Sequence, residues 1–154
     1  MKVLRRIADS KGYITTGSDI TLGGHNENNV ENADVAVYTT AVGEYNCEVV
    51  RARARGIPVY ERAEYLGTVS REYKKVIAVA GTHGKTTATG FCEQIFLPKD
   101  PTVHIGGTVL GEAGRVGGSE YFICEACEYK RSFLHLKPSV AVILNAELDH
   151  TDYY

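Results

Sequence analysis

A glycine-bounded loop followed by Lys-Thr-Thr carries the densest chemistry in this 154-residue sequence. The run Val79-Ala80-Gly81-Thr82-His83-Gly84-Lys85-Thr86-Thr87 predicts a buried strand that turns tightly, with Lys85 opening a helix. N–H groups in a helix's first turn lack intrahelical partners, and the helix dipole makes that end positive, so it attracts anions. Gly81 and Gly84 let main chain approach phosphate oxygens closely. Lys85 then supplies positive charge to the β/γ phosphates, and the Thr86 hydroxyl is placed to ligate Mg²⁺. The loop is shorter than the general phosphate-loop pattern, which wants a glycine where Val79 stands. The alternative is a glycine-rich turn capped by a threonine, with an exposed lysine.

Two later segments carry polar groups just past apolar runs. Glu125 follows Tyr121-Phe122-Ile123-Cys124, and Asn145, Asp149 and His150 follow Val140-Ala141-Val142-Ile143-Leu144. Ligands of open α/β sheets bind beyond the carboxyl ends of strands. The phosphate loop and both of these segments are therefore expected along one edge. A carboxylate and a neutral imidazole beside a nucleotide can hold divalent cations that neutralise phosphate charge. Taken singly, Glu125 reads as a solvated or salt-bridged acid and His150 as structural; beside a phosphate loop both read as metal ligands. Cys124-x-x-Cys127 admits a redox or zinc reading. A structural zinc needs four ligands, and Cys124 falls inside a predicted strand, so ordinary burial is the expectation.

The elements that must position these residues follow from apolar spacing. Val3, Leu4, Ile7 and Ala8 share one face of a helix over 2–11, with Gly12 as its C-cap. Strands are predicted at 13–16, 33–38 and 57–60, and helices at 44–55 and 61–71. Lys75 to Ala80 is an unbroken apolar run, as a strand buried on both faces requires. A helix from 85 to 97 must end before Pro98. Strands follow at 121–124 and 140–144, the second again buried on both faces. Strands alternating with helices predict an α/β fold with a doubly wound, mainly parallel sheet. Glu72 to Lys75 marks a boundary, giving pieces 1–73 and 74–154. The sixteen glycines, bunched at 23–24, 81–90, 106–107 and 111–118, read as loops that carry the function.

Composition excludes several classes. The chain is 44% hydrophobic and 23% charged, which removes disordered, collagen-like and coiled-coil readings. A net charge of −2 provides no basic footprint for nucleic acid. No apolar run is long enough to span a membrane and no secretory leader is evident. Four cysteines are too sparse for a disulfide scaffold, so a reduced, cytoplasmic protein is expected.

Together the motifs resemble the Mur ligase family. They are residues 80–87; Glu125-Ala126-Cys127-Glu128 with Ser132-Phe133-Leu134; and Asn145 to Tyr154, Asn-Ala-Glu-Leu-Asp-His-Thr-Asp-Tyr-Tyr. Weaker similarity runs through Gly17-Ser18-Asp19, residues 33–42 and Gly56 to Val59. Histidine at position 83 resembles the family's alanine-adding branch and its tripeptide-recycling cousin.

The resemblance implies a partial Rossmann-like, UDP-sugar-binding domain over 1–73 and part of a phosphate-loop ATP domain over 74–154. The family's carboxy-terminal domain and the flanking segments are expected to be missing. It further implies an ATP-dependent ligase of peptidoglycan synthesis joining L-alanine to UDP-N-acetylmuramate through an acyl phosphate, with ATP and Mg²⁺ as cofactors; the alternatives are a tripeptide-recycling ligase and a non-catalytic nucleotide-binding remnant. Gly81, Thr82, His83, Gly84, Lys85, Thr86, Thr87 and Asn145 would bind nucleotide. Thr86, Glu125 and His150 would hold magnesium, and Lys85, Glu125 and His150 would serve catalysis. Cys127 and Lys130 depart from the family pattern, standing where many relatives carry acids.

Overall fold

The computed structural model describes residues 1–109, 112–151 and 153–154. Gly111 of the 111–118 glycine run and Asp152 of the 145–154 motif lie outside the described residues. The chain opens with α1 (Lys2–Ser10), whose buried stripe is Val3, Leu4 and Ile7. Gly12 beyond it adopts φ +85°. No strand forms over 13–16, contrary to expectation. Ile14 is 98% exposed, and no neighbouring strand offers its backbone a ladder.

Strands β1 (Ala36–Tyr38) and β2 (Val59–Glu61) pair in parallel, with α2 (Cys47–Ala54) as their crossover. Both are shorter than the apolar pattern suggests. Their surroundings are tied by Glu48 on α2, which accepts hydrogen bonds from the Ser18 hydroxyl, the Asn26 N–H and the Asn29 amide. Burial alone would raise the Glu48 carboxyl, but these donors, with His25, outweigh it and hold it below its usual value. Glu48→Ala leaves them without an acceptor, so it is expected to lower stability by about 1–3 kcal/mol. Urea unfolding checks this, and an unchanged midpoint would contradict it.

Downstream come α3 (Arg62–Ser70), β3 (Lys75–Ala80), α4 (Lys85–Phe96), β4 (Thr102–Val109), β5 (Glu112–Arg115), β6 (Tyr121–Glu125) and β7 (Val140–Ile143). The five strands form one sheet in the order β5-β4-β6-β3-β7, parallel except for β5 against β4. On one face α1 and α3 bury Val3, Leu4, Ile7, Leu66 and Val69 against Val76, Ala78, Phe122 and Cys124. On the other, Cys92 and Phe96 of α4 cover Ile77, Val103, Ile105 and Ile123. Covering both faces explains why β3 and β6 are apolar without alternation.

Two expectations are corrected here. The β4–β5 hairpin occupies a glycine-rich stretch that reads as loop, because close packing requires glycine within β5. Gly114 adopts φ +127°, and an ideal Cβ there would overlap the Val103 carbonyl of β4. Strand β7 is not buried on both faces: Val140 is 51% and Ile143 74% exposed. It is an edge strand, paired with β3 alone in the sheet order.

Candidate active site

Strand β3 delivers the chain to Gly81, whose φ of +148° suits glycine. A Cβ there would stand 3.0 Å from Leu144 Cβ and 3.3 Å from the Asn145 nitrogen, so the segment after β7 presses directly on the loop. Gly84 is the N-cap of α4 in a left-handed conformation and brings no side chain to cap it. The N–H groups of the first turn are thus left for an anion. The Thr86 hydroxyl makes no hydrogen bond among the described residues and faces Gly107, where an ideal Cβ would sit 3.6 Å away.

Lys85 folds back over this loop. Its ammonium donates to the carbonyls of Gly81 and Thr82 and to Glu128 Oε1 at 2.9 Å, with the side chain only 16% exposed. The cation therefore braces the loop from within, and its three N–H donors are matched. Glu128 also meets His150, Nε2 lying 3.4 Å from the same oxygen, and Oε2 of Glu128 is buried without a partner. Burial would raise the Glu128 carboxyl, but its own backbone N–H, the Lys85 ammonium and His150 prevail and hold it low. One ligand atom from each of Glu128, Asp149 and His150 lies within 4.8 Å of the others. His150 is positioned by a tight turn: its φ is +50°, its N–H donates to Asp149 Oδ1 at 2.7 Å, and its ring packs on Tyr129.

Asn145 serves the loop itself. Its side-chain oxygen accepts from the His83 N–H at 2.9 Å and its amide donates to the His83 carbonyl at 3.1 Å. Thr82 is zipped to the same segment through Glu147. The loop's conformation is thus fixed by the strand-tip residues after β7. His83 and Thr87 are exposed at the mouth.

Glu125 ends β6, and Lys85 opens α4. Both line a cavity of about 120 Å³ with Arg62, His104, Gly106, Cys127 and Ser132, and Glu125 Oε1 is buried without a hydrogen bond. Lys85 thus meets Glu128 directly and shares the cavity lining with Glu125. Glu128 stands in the motif with Glu125 but is not singled out by sequence reading; its place three residues past a strand end is the available signal. Cys124 is fully buried, and burial, then Glu125, pushes its thiol up to about 12. A buried, protonated Cys124 does not supply the thiolate that a redox motif uses.

Burial first, then the nearby Arg62 and amino-terminal charges, pushes the His104 imidazole down from 6.5 to about 4. Between those values the unfolded chain binds the extra proton, so stability falls as pH drops through that window, by up to about 3 kcal/mol. Melting curves from pH 7 to 4.5 should fall more steeply for the wild type than for His104→Gln. Parallel curves would contradict the burial of a neutral ring.

Residues 1–74 match "Mur ligase family, catalytic domain" and residues 79–154 match "Mur ligase middle domain". The chain belongs to the Mur ligase family. It is 42% identical to the UDP-N-acetylmuramate–L-alanine ligase of Acetivibrio thermocellus, an alignment covering all of this chain and 37% of that protein. The Clostridium acetobutylicum ligase of the same name is 49% identical over 90% of this chain and 31% of its own length. Among solved structures, the UDP-N-acetylmuramate–alanine ligase of Thermotoga maritima superposes with a TM-score of 0.82 at 30% identity, covering 99% of this chain and 40% of that one. A Neisseria meningitides UDP-N-acetylmuramate:L-alanyl-γ-D-glutamyl-meso-diaminopimelate ligase gives 0.74 at 25% identity, covering 96% and 57%. This Mur ligase chain thus spans about a third of the length of these curated relatives. The Acetivibrio alignment runs to 173 residues, so that relative carries residues within the aligned span that this chain lacks.

Proposed function

We propose that this chain is the phosphate-loop-bearing part of an ATP-dependent ligase that joins L-alanine to UDP-N-acetylmuramate in peptidoglycan synthesis. Residues 1–73 would contribute to the UDP-sugar site and residues 74–154 to the ATP site. Its place would be the cytoplasm, where ATP and sugar nucleotides are both at hand. No helix among the described residues is long and apolar enough to cross a membrane. The observation that carries the reading is the uncapped start of α4, with Lys85 beside it and Glu125, Glu128 and His150 facing it.

In this reaction a carboxylate oxygen of the sugar acid attacks the γ-phosphorus of ATP and ADP leaves. The amine of L-alanine then attacks the acyl carbon and phosphate departs. Charge develops on phosphate oxygens throughout, so the protein's task is to place positive charge in advance. The α4 N–H groups and Lys85 do so here. An arriving polyphosphate competes with Glu128 for the ammonium, and Asn145 keeps the loop in register while the exchange occurs. Magnesium fits the donors present: oxygen and imidazole groups suit a hard cation, and Glu125 Oε1 and Glu128 Oε2 are buried acceptors without partners. Thr86 and Glu125 would hold one ion and His150 a second, with Glu128 adjacent, and they would spread positive charge over the phosphates. Asn145 is assigned to the nucleotide site through its grip on His83.

The test joins binding with turnover. The 154-residue chain should bind both Mg-ATP and UDP-N-acetylmuramate by calorimetry. Fused in frame to the remainder of the Acetivibrio ligase, it should release ADP only when UDP-N-acetylmuramate and L-alanine are both present. Release with a tripeptide but not with L-alanine moves the reading to the recycling ligase. Binding of neither nucleotide overturns it.

A further inference from the structure

Where α3 of the amino-terminal piece meets the tips of β4 and β6, the cavity beside Lys85 contains polar groups with nothing to bind. Arg62, the first residue of α3, is half-buried and makes no hydrogen bond or ion pair among the described residues. His104 on β4 is only 5% exposed, and its Nδ1 is buried without a partner. Across the same space Glu125 leaves Oε1 unpaired, and Lys85 forms the wall toward the phosphate loop. Unmatched polar atoms are rare in folded interiors, and several around one cavity point to an absent ligand.

We propose that Arg62 and His104 form the subsite that holds the carboxylate of the acceptor sugar nucleotide, the group that receives the phosphoryl. The proposal rests on the ligase reading above and adds the residues that orient the acceptor. A guanidinium fork matches the two oxygens of a carboxylate, and a neutral imidazole adds an N–H donor without a second full charge. A cavity of about 120 Å³ accommodates a carboxylate and its adjoining carbons but not a nucleoside. Its position decides which carboxylate: Lys85, which braces the phosphate loop, is one wall, so a group bound here lies next to the terminal phosphate. The other wall is the amino-terminal piece assigned to the UDP-sugar. Glu125 would repel an unscreened anion, which fits a subsite that fills together with a cation on that acid.

The experiment compares two sugar nucleotides that differ in the lactyl carboxylate. UDP-N-acetylmuramate and UDP-N-acetylglucosamine are titrated calorimetrically, with magnesium, into the wild-type chain and into Arg62→Gln, Arg62→Lys and His104→Gln. The wild type should prefer the carboxylate-bearing ligand. Arg62→Gln should weaken that ligand about tenfold or more while leaving UDP-N-acetylglucosamine unchanged, so the preference disappears. Arg62→Lys and His104→Gln should each cause part of the loss, with thermal melting confirming that each variant folds. Equal weakening of both ligands would place Arg62 on the shared diphosphate and overturn the subsite alone, as would no weakening of either. A wild-type chain that binds neither ligand overturns the ligase reading and this inference with it.

Discussion

Lys85→Ala should weaken Mg-ATP binding by this chain at least about a hundredfold. The ammonium makes charge-assisted bonds, each worth about 1.5–3 kcal/mol when lost, and it supplies the only full positive side-chain charge within the 81–87 loop. Removing it also withdraws donors from the Gly81 and Thr82 carbonyls and from Glu128. Some loss of stability therefore accompanies the loss of affinity. Lys85→Arg separates the two effects, since it keeps charge and donors but cannot reproduce a compact ammonium in that space. Calorimetric titration with a parallel thermal melt is the measurement, and unchanged affinity in a folded Lys85→Ala variant would contradict the assignment.

Gly67→Val should lower stability by about 3 kcal/mol or more. Gly67 lies in α3 where the helix meets the 129–135 segment, and an ideal Cβ there would fall 2.5 Å from the His135 carbonyl oxygen. The obstacle is backbone on both sides, so no rotamer change relieves it, and overpacking of this kind forces elements apart. Valine offers no helix-propensity gain large enough to offset that cost. The contact also seats α3 beside the cavity that holds Arg62, so the same substitution should weaken sugar-nucleotide binding. Urea denaturation reads the first effect; an unchanged midpoint would show that the two segments are not in this contact.

The parts of the fold governed by local pattern were legible before the structure. Lys75 to Ala80 is a strand as its unbroken apolar run requires, and α1, α3 and α4 begin and end within a residue or two of their spacing. What was not legible depends on neighbours. Residues 13–16 have strand composition but no strand to pair with, and β7 has the apolar run of a buried strand yet sits at an edge of the sheet. The β4–β5 hairpin was hidden because Gly114, at φ +127°, lets β5 lie against the Val103 backbone of β4, a demand set by tertiary packing.

The site divides in the same way. Residues 81–87 are contiguous, so their chemistry reads from spacing, and the polar residues after β6 and β7 read from topology. Glu128 as the partner of Lys85, the grip of Asn145 on His83, and the cavity that pairs Arg62 with His104 all join residues distant in sequence. Glu125 and His150 likewise have neighbours that spacing does not name, the first lining the cavity and the second lying against Glu128. Spacing alone carries no information about such pairings.

The central claim is that the uncapped start of α4 grips a polyphosphate, and backbone amide resonances observed during a titration with Mg-ATP test it most directly. Saturable shifts centred on Gly84, Lys85 and Thr86, extending to His150 and absent with adenosine, are the predicted result. Shifts confined to residues away from the 81–87 loop, or none at millimolar nucleotide, would contradict it.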